Sequence, residues 1–171
     1  CLVWETETGR LVATLPGGDR ADDADFSPDG ASVLARGPEG VRILRADGAG
    51  ERARVPGAAR DAWLSGDGRR LLVAGADGVA RLHDAADGRL VAALGGAEGE
   101  LAGAAFLGAT GLVLVARTVG DPGLWRASDG GLERALEGHG GPVRATAATA
   151  DGRYVLTASE LGARLWNASS G

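Results

Sequence analysis

Acidic side chains are the groups in this chain best placed to do chemistry, and they crowd near its start. Asp22, Asp23, Asp25 and Asp29 lie on one predicted strand and in the turn that follows it. Side chains alternate across a strand, so Asp23 and Asp25 share a face, and the repeat described below matches Asp61 to Asp23. Three converging carboxylates could hold a hard cation through oxygen ligands. The alternative is a hydrated channel mouth or a strand poorly fitted to its neighbours, and both interpretations stay open.

Other chemically capable groups are sparse. No serine lies in a G-x-S-x-G elbow, and a chain without lysine cannot form a GxxxxGK[ST] phosphate loop. The single cysteine, Cys1, has no partner for an internal disulfide. His83 and His139 lie in different repeats, and neither has a Cys or His neighbour at metal-ligand spacing. We therefore predict no catalytic residue, no cofactor and no metal beyond the three candidate acids, and we do not expect an enzyme.

The elements that position these residues recur along the chain about every forty residues. A closing position recurs at spacings of 40, 39, 42 and 41, and it is occupied in turn by Trp4, Leu44, His83, Trp125 and Trp166. One series of turn dipeptides follows it: Thr8-Gly9, Asp47-Gly48, Asp87-Gly88, Asp129-Gly130 and Ser170-Gly171. A second series falls in mid-repeat: Asp29-Gly30, Asp67-Gly68, Thr110-Gly111 and Asp151-Gly152. Glycine at these places can adopt the positive φ that hairpin turns need.

The predicted fold class is all-β, a β-propeller of four-stranded antiparallel blades with about four repeats present. Short apolar runs between the turns predict two strands at the start, then three complete blades, then three further strands. The repeats cover approximately residues 5–44, 45–83, 84–125 and 126–167, with partial strands at both ends. Open blades leave unpaired strand edges, so we also expect self-association through these edges.

The motifs that carry the repeat resemble those of the WD-repeat β-propellers. They are LVWETETGRLVATL at 2–15, DFSPDG at 25–30, ADGVARLHDAADGRLVAAL at 76–94, LWRASDGG at 124–131, and GH with RLWN in the last repeat. The resemblance covers essentially the whole chain. Members of that family most often have seven blades, so the resemblance implies that this chain is a segment of a larger ring.

The same resemblance implies a buried hydrogen-bonded network in the last repeat. A buried indole N–H and an imidazole nitrogen each need a hydrogen-bond partner, which is the physical reason for such a network. The candidate members are His139, Thr157 or Ser159, Glu160 and Trp166, and earlier repeats retain Asp77 and Trp125. This role is structural rather than catalytic.

Charge and composition narrow the range of partners. The chain has 18 basic residues, all arginine, against 23 acidic ones, for a net charge of -5. This balance argues against nucleic acid or an anionic membrane surface as the main partner. No apolar run approaches the roughly 20 residues of a membrane helix. The absence of methionine indicates that the chain begins inside a longer protein, and the abundance of Ala, Gly and Arg is typical of a high-GC bacterial genome.

We therefore expect a non-enzymatic scaffold or adaptor for protein–protein interaction. It would be the regulatory or sensor part of a larger, cytoplasmic bacterial signalling protein. The alternative function is a propeller enzyme, or a sensor of a small ligand or cation, that uses the acidic cluster of Asp23, Asp25 and Asp61 at the central channel.

Overall fold

The described part of the chain consists of strands and turns. The computed structural model describes residues 1–15, 21–96 and 98–171, and within these ranges it contains seventeen strands and no helix. Accordingly, no helix in these ranges is suited to crossing a membrane.

The strands form five antiparallel sheets, ordered β1-β2, β3-β4-β5-β6, β7-β8-β9-β10, β11-β12-β13-β14 and β15-β16-β17. Their bounds are β1 Leu2–Trp4, β2 Leu11–Thr14, β3 Asp23–Phe26, β4 Ser32–Gly37, β5 Gly40–Arg45, β6 Glu51–Pro56, β7 Ala59–Leu64, β8 Arg70–Gly75, β9 Ala80–Asp84, β10 Leu90–Leu94, β11 Leu101–Phe106, β12 Leu112–Arg117, β13 Gly123–Arg126, β14 Leu132–Ala135, β15 Val143–Ala148, β16 Tyr154–Ser159 and β17 Gly162–Asn167.

This architecture confirms the predicted fold class. Two strands, three complete four-stranded blades and three further strands follow one another along the chain. The sequence pattern predicts a strand from Ala21 to Phe26, whereas β3 begins two residues later, at Asp23. The repeat limits 5–44, 45–83, 84–125 and 126–167 stay a prediction.

The turns form where the glycine series predicted them. Every glycine in both dipeptide series has a positive φ, for example +69° at Gly30 and +71° at Gly152. The preceding aspartate caps the turn: Asp29 Oδ1 accepts a hydrogen bond from the backbone N–H of Ala31 at 3.0 Å, and Asp151 Oδ1 accepts the equivalent bond from Arg153 at 3.0 Å. Such Asx caps and positive-φ glycines hold consecutive strands in one antiparallel register.

The hydrophobic core lies between sheets. Strand β4 serves two interfaces, because its side chains alternate between its two faces. Val33 and Ala35 belong to the cluster that includes Ala13 of the first sheet. Leu34 belongs to the cluster that includes Leu71 of the following blade. Burial on both faces explains why the second strand of each complete blade reads as a continuous apolar run.

The last sheet has a buried face and an exposed one. In β16, Val155 and Thr157 are buried, whereas Leu156 between them is 43% exposed. In β12, at the same place in the preceding blade, Val113, Leu114 and Val115 are all buried. The difference arises because no sheet in the described ranges packs beyond β15–β17, and the ring is therefore open.

Gly152 and Gly30 allow the inter-blade packing to be tested. Both lie at the same position of the mid-repeat turn with nearly equal φ, but a Cβ at Gly152 would overlap the carbonyl oxygen of Leu107, whereas a Cβ at Gly30 meets nothing within 4 Å. We expect Gly30→Ala to cost about 1–2 kcal/mol through backbone strain alone. Gly152→Ala should cost about 1–3 kcal/mol more through the overlap. Urea unfolding measures both, and equal losses would contradict this account of the blade interface.

Candidate functional site

A buried polar cluster lies in the last sheet, between the loop that precedes β15 and strands β16 and β17. Trp166 Nε1 donates a hydrogen bond to Thr157 Oγ1 at 2.7 Å, and Thr157 Oγ1 also lies 2.5 Å from His139 Nε2. The rings of His139 and Trp166 are 6.1 Å apart, centroid to centroid. One buried hydroxyl therefore serves both an indole and an imidazole.

Thr157 is the polar exception at an otherwise apolar register position. The corresponding second-strand residues are Ala35, Val73 and Val115, which pack into the hydrophobic clusters between sheets. Thr157 is fully buried, and His139 is 6% exposed. A buried donor left without an acceptor costs about 1–3 kcal/mol. This cost explains why threonine, with its hydroxyl, stands at this register position in the unit where His139 and Trp166 are close together.

The other candidates for this network lie outside it. Ser159 Oγ interacts with its own turn, donating to the carbonyl of Gly162 at 3.3 Å. Glu160 accepts a hydrogen bond from Arg144 Nη2 at 2.7 Å on the exposed surface. Of the two hydroxyls that the sequence left open, the structure thus places that of Thr157 beside His139 and Trp166.

Asp77 is also engaged elsewhere. Its carboxylate forms two hydrogen bonds with the Arg81 guanidinium, at 2.9 and 2.6 Å, and accepts one from the backbone N–H of Val79. The bonds from Arg81, followed by the bond from Val79, lower the pKa of Asp77 to about 2. Asp77 is therefore an ionised turn residue that holds its own hairpin.

Trp125 and His83, at the closing positions of earlier units, lack the partner that Trp166 has. The buried Trp125 Nε1 and His83 Nε2 form no hydrogen bond with the described residues. His83 Nδ1 lies 3.0 Å from the carbonyl of Gly88, so Nδ1 carries the proton. Burial lowers the pKa of His83, which favours the neutral ring.

The acidic cluster forms around an arginine. Arg36, on β4, contacts Asp23 and Asp25 of its own blade and Asp61 of the next. The Arg36–Asp25 distance is 3.1 Å. Hydrogen bonding to Arg36 is the main cause of a lowered pKa at Asp23. Asp23, Asp25 and Asp61 therefore converge as expected, but on the guanidinium of Arg36, a residue that the sequence reasoning missed.

This arrangement has a structural consequence for the blade interface. One cation joins carboxylates of two neighbouring blades, while the Arg36 side chain itself is only 10% exposed. Within the described residues, no group of three His, Cys, Asp or Glu side chains is arranged to hold a metal ion. The sequence feature that indicated this ion pairing was the presence of two aspartates in DADF and an arginine in SVLAR, since these segments form adjacent strands.

Removing the shared hydroxyl should destabilise the last sheet. Thr157→Val keeps the shape of the side chain but leaves Trp166 Nε1 and His139 Nε2 without their common partner, at an expected cost of about 1–3 kcal/mol. Thr146→Val is the matched control, because Thr146 lies opposite Thr157 on β15 and its hydroxyl forms no hydrogen bond within the described ranges. Urea denaturation followed by tryptophan fluorescence compares the two. Equal midpoints would show that the network contributes nothing.

Removing the central cation should change how stability depends on pH. An aspartate with a lowered folded-state pKa stabilises the protein above its unfolded pKa, which for Asp23 is 3.8, and that contribution disappears as the pH falls through the lower folded value. We expect Arg36→Met to destabilise the protein at pH 7 and the difference from the parent to shrink as the pH falls below 3.8. Urea unfolding midpoints of the parent and of Arg36→Met, measured from pH 7 to below pH 3.8, give this difference.

The control for Arg36→Met is Arg45→Met, which removes an exposed ion pair with Asp47. Exposed pairs contribute about 0–1 kcal/mol, so this variant should stay close to the parent at every pH. A pH-independent effect of Arg36→Met would mean that packing, and not charge, dominates at Arg36.

Comparison with known proteins gives one family model that matches part of the chain and many similar solved structures, among them two designed proteins. Residues 130–167 match the family described as "WD domain, G-beta repeat". No curated protein matches the chain. The crystal structure of the computationally designed Ika8 protein aligns with 98% of this chain and 52% of its own length, at 20% identity and a TM-score of 0.76.

The computationally designed Ika4 protein aligns with 94% of this chain and 99% of its own length, at 18% identity and a TM-score of 0.70. The chain thus spans about half the length of Ika8 and almost the whole length of Ika4, and at these identities the likeness concerns the fold alone. Residues 130–167, which contain the His139–Thr157–Trp166 cluster, match the WD-repeat family model, and the chain as a whole is an all-β, propeller-like repeat protein of four-stranded sheets.

Proposed function

We propose that this chain is a non-enzymatic scaffold for protein–protein interaction and that its open end sheets are the surfaces it uses. WD domains generally bind protein partners, which supports the broader statement. The observation that supports the finer one is that Leu165 on the last sheet is exposed, whereas the complete blades fully bury the residues at the same register position, Ile43, Leu82 and Leu124.

Within the described residues, the last sheet has no sheet beyond it and no fourth strand. In each complete blade the third strand pairs with an outer one, as β9 does with β10. Strand β17 pairs only with β16 in the described structure. Leu161 and Leu165 are 77% and 69% exposed. An apolar face beside an unpaired strand edge favours the addition of further strands.

The first sheet is incomplete in the complementary way. It contains the third and outer strands of a blade, β1 and β2, without the two inner strands. Leu2 and Trp4 of β1 are 51% and 55% exposed. The last sheet has the inner strands that the first one lacks, and the first has the outer strand that the last one lacks.

We propose that the occupant of these surfaces is a second copy of the chain. Strand β2 and the residues around it read RLVATL, close to the RLVAAL with which β10 pairs with β9, and β17 reads ARLW where β9 reads ARLH. Strand β17 of one copy can therefore pair with β2 of the other and displace β1, which holds the same place. Two copies joined at both ends would contain eight four-stranded blades.

The biological setting is proposed on composition. We propose that the scaffold is the regulatory or sensor part of a larger bacterial signalling protein and that it works in the cytoplasm. The richness in Ala, Gly and Arg supports a bacterial source, and the net charge of -5 supports protein rather than nucleic acid as the partner.

Self-association is tested by sedimentation velocity over a concentration series. We expect a dimer that Leu165→Glu weakens by at least about tenfold, because the charge would be buried beside the pairing edge. Leu90→Glu is the control, since Leu90 is 50% exposed but lies on β10 of a complete blade. Removal of residues 1–4 should strengthen the dimer by freeing β2. A monomer at all concentrations, or equal effects of both substitutions, would contradict the proposal.

A further inference from the structure

The third blade contains a cavity of about 600 Å³. Val115 and Trp125, which line this cavity, correspond in the repeat to Thr157 and Trp166, the two residues that His139 contacts. The loop on this side carries Gly95-Gly96, and neither glycine has a side chain to fill the space.

Arg117 lines this cavity with an uncompensated charge. It is only 6% exposed, and its Nη1 donates to the carbonyl of Gly99 at 2.8 Å. Its Nε and Nη2, which share the other edge of the guanidinium, are buried and have no acceptor among the described residues. Arg36, the other buried arginine, contacts three carboxylates. A buried cation with one backbone acceptor is costly unless an anion joins it.

A third unpaired donor lies beside this edge. Trp125 Nε1 is buried and has no acceptor among the described residues, because Val115 lies where Thr157 supplies a hydroxyl in the last unit. A Cβ built on Gly95 would lie 3.6 Å from Arg117 Nε and 3.8 Å from Trp125 Cζ2. Gly95 therefore lies close to both groups, at the edge of the cavity that all three residues line.

We propose that this cavity binds a carboxylate group. The Nε and Nη2 edge of an arginine matches the two oxygens of a carboxylate, which it binds through two parallel hydrogen bonds, and Trp125 Nε1 supplies a further donor. Glu98 and Asp121 also border the cavity without an ion pair to Arg117 in the described structure, and Asp121 Oδ1 accepts a hydrogen bond from Gly138 at 3.2 Å. Their negative charge favours a singly charged, planar ligand over phosphate or sulfate.

The carboxylate has two possible sources, a small organic acid or an acidic side chain of a protein partner. Both present the same group to Arg117, and the cavity volume accommodates either. The site is independent of the end sheets, because β12 and β13 belong to a complete blade. Carboxylate binding at this site can therefore be tested independently of the proposed self-association.

The experiment follows the four tryptophan indole N–H signals of ¹⁵N-labelled protein by NMR. Trp125→Phe identifies the Trp125 signal by its loss. Sodium acetate is titrated at constant ionic strength against sodium chloride, followed by the capped peptide Gly-Glu-Gly and its Gly-Gln-Gly counterpart. We expect the Trp125 signal to shift saturably with acetate, with the Glu peptide, or with both, and the tighter binder identifies the source.

Three variants make the result specific. Arg117→Gln removes the charged fork and should weaken binding by at least about tenfold. Val115→Thr leaves Arg117 intact but offers Trp125 Nε1 an internal acceptor, so its signal should shift less on titration. Arg134→Gln is the control and should bind normally, since Arg134 donates to the carbonyls of Ser169 and Ser170 elsewhere. Equal shifts with chloride, equally tight binding of phosphate, or unchanged binding by Arg117→Gln would each overturn the proposal.

Discussion

Contact between neighbouring sheets is the interaction on which this structure depends. A single four-stranded sheet here has no core of its own, and its apolar side chains are removed from water only by the sheets on either side. Leu34 of one blade and Leu71 of the next belong to one buried cluster, and Leu72 belongs with Val113 of the blade after that. Full burial of such a side chain is worth about 1.5–3 kcal/mol. Stability is therefore approximately a sum over interfaces, as in other repeat proteins.

The polar groups inside these interfaces distinguish one unit from another. The last unit satisfies its indole and imidazole with the Thr157 hydroxyl, whereas the third unit leaves Trp125 Nε1 and two Arg117 nitrogens without acceptors in the described ranges. Between the first two complete blades, Arg36 forms ion pairs with three carboxylates. The apolar framework is repeated from unit to unit, and the buried hydrogen-bonding groups are not. The units therefore share the same apolar packing but differ in the buried hydrogen-bonding groups that each one contains.

The ends of the stack follow from the same dependence on neighbours. Leu165 on β17 has the character of an interface residue, yet it is 69% exposed because no sheet in the described structure lies beside it. Trp4 on β1 is in the same position at the other end, at 55% exposure. Because an exposed apolar strand edge favours pairing with another strand, the open ends of this structure favour association with other chains.

The strands, the turns and their order follow from local features of the sequence. Glycine is the residue that accepts a positive φ without cost, so Asp-Gly pairs such as Asp29-Gly30 and Asp151-Gly152 mark hairpins locally, and the strands between them lie where the apolar runs predicted. The partners of individual polar side chains depended on the packing of different blades. Nothing in the sequence around Asp61 identifies Arg36 as its partner, and nothing near Trp125 shows that its indole lacks an acceptor. Those outcomes are set by distances between separate sheets, which no local stretch of the sequence specifies.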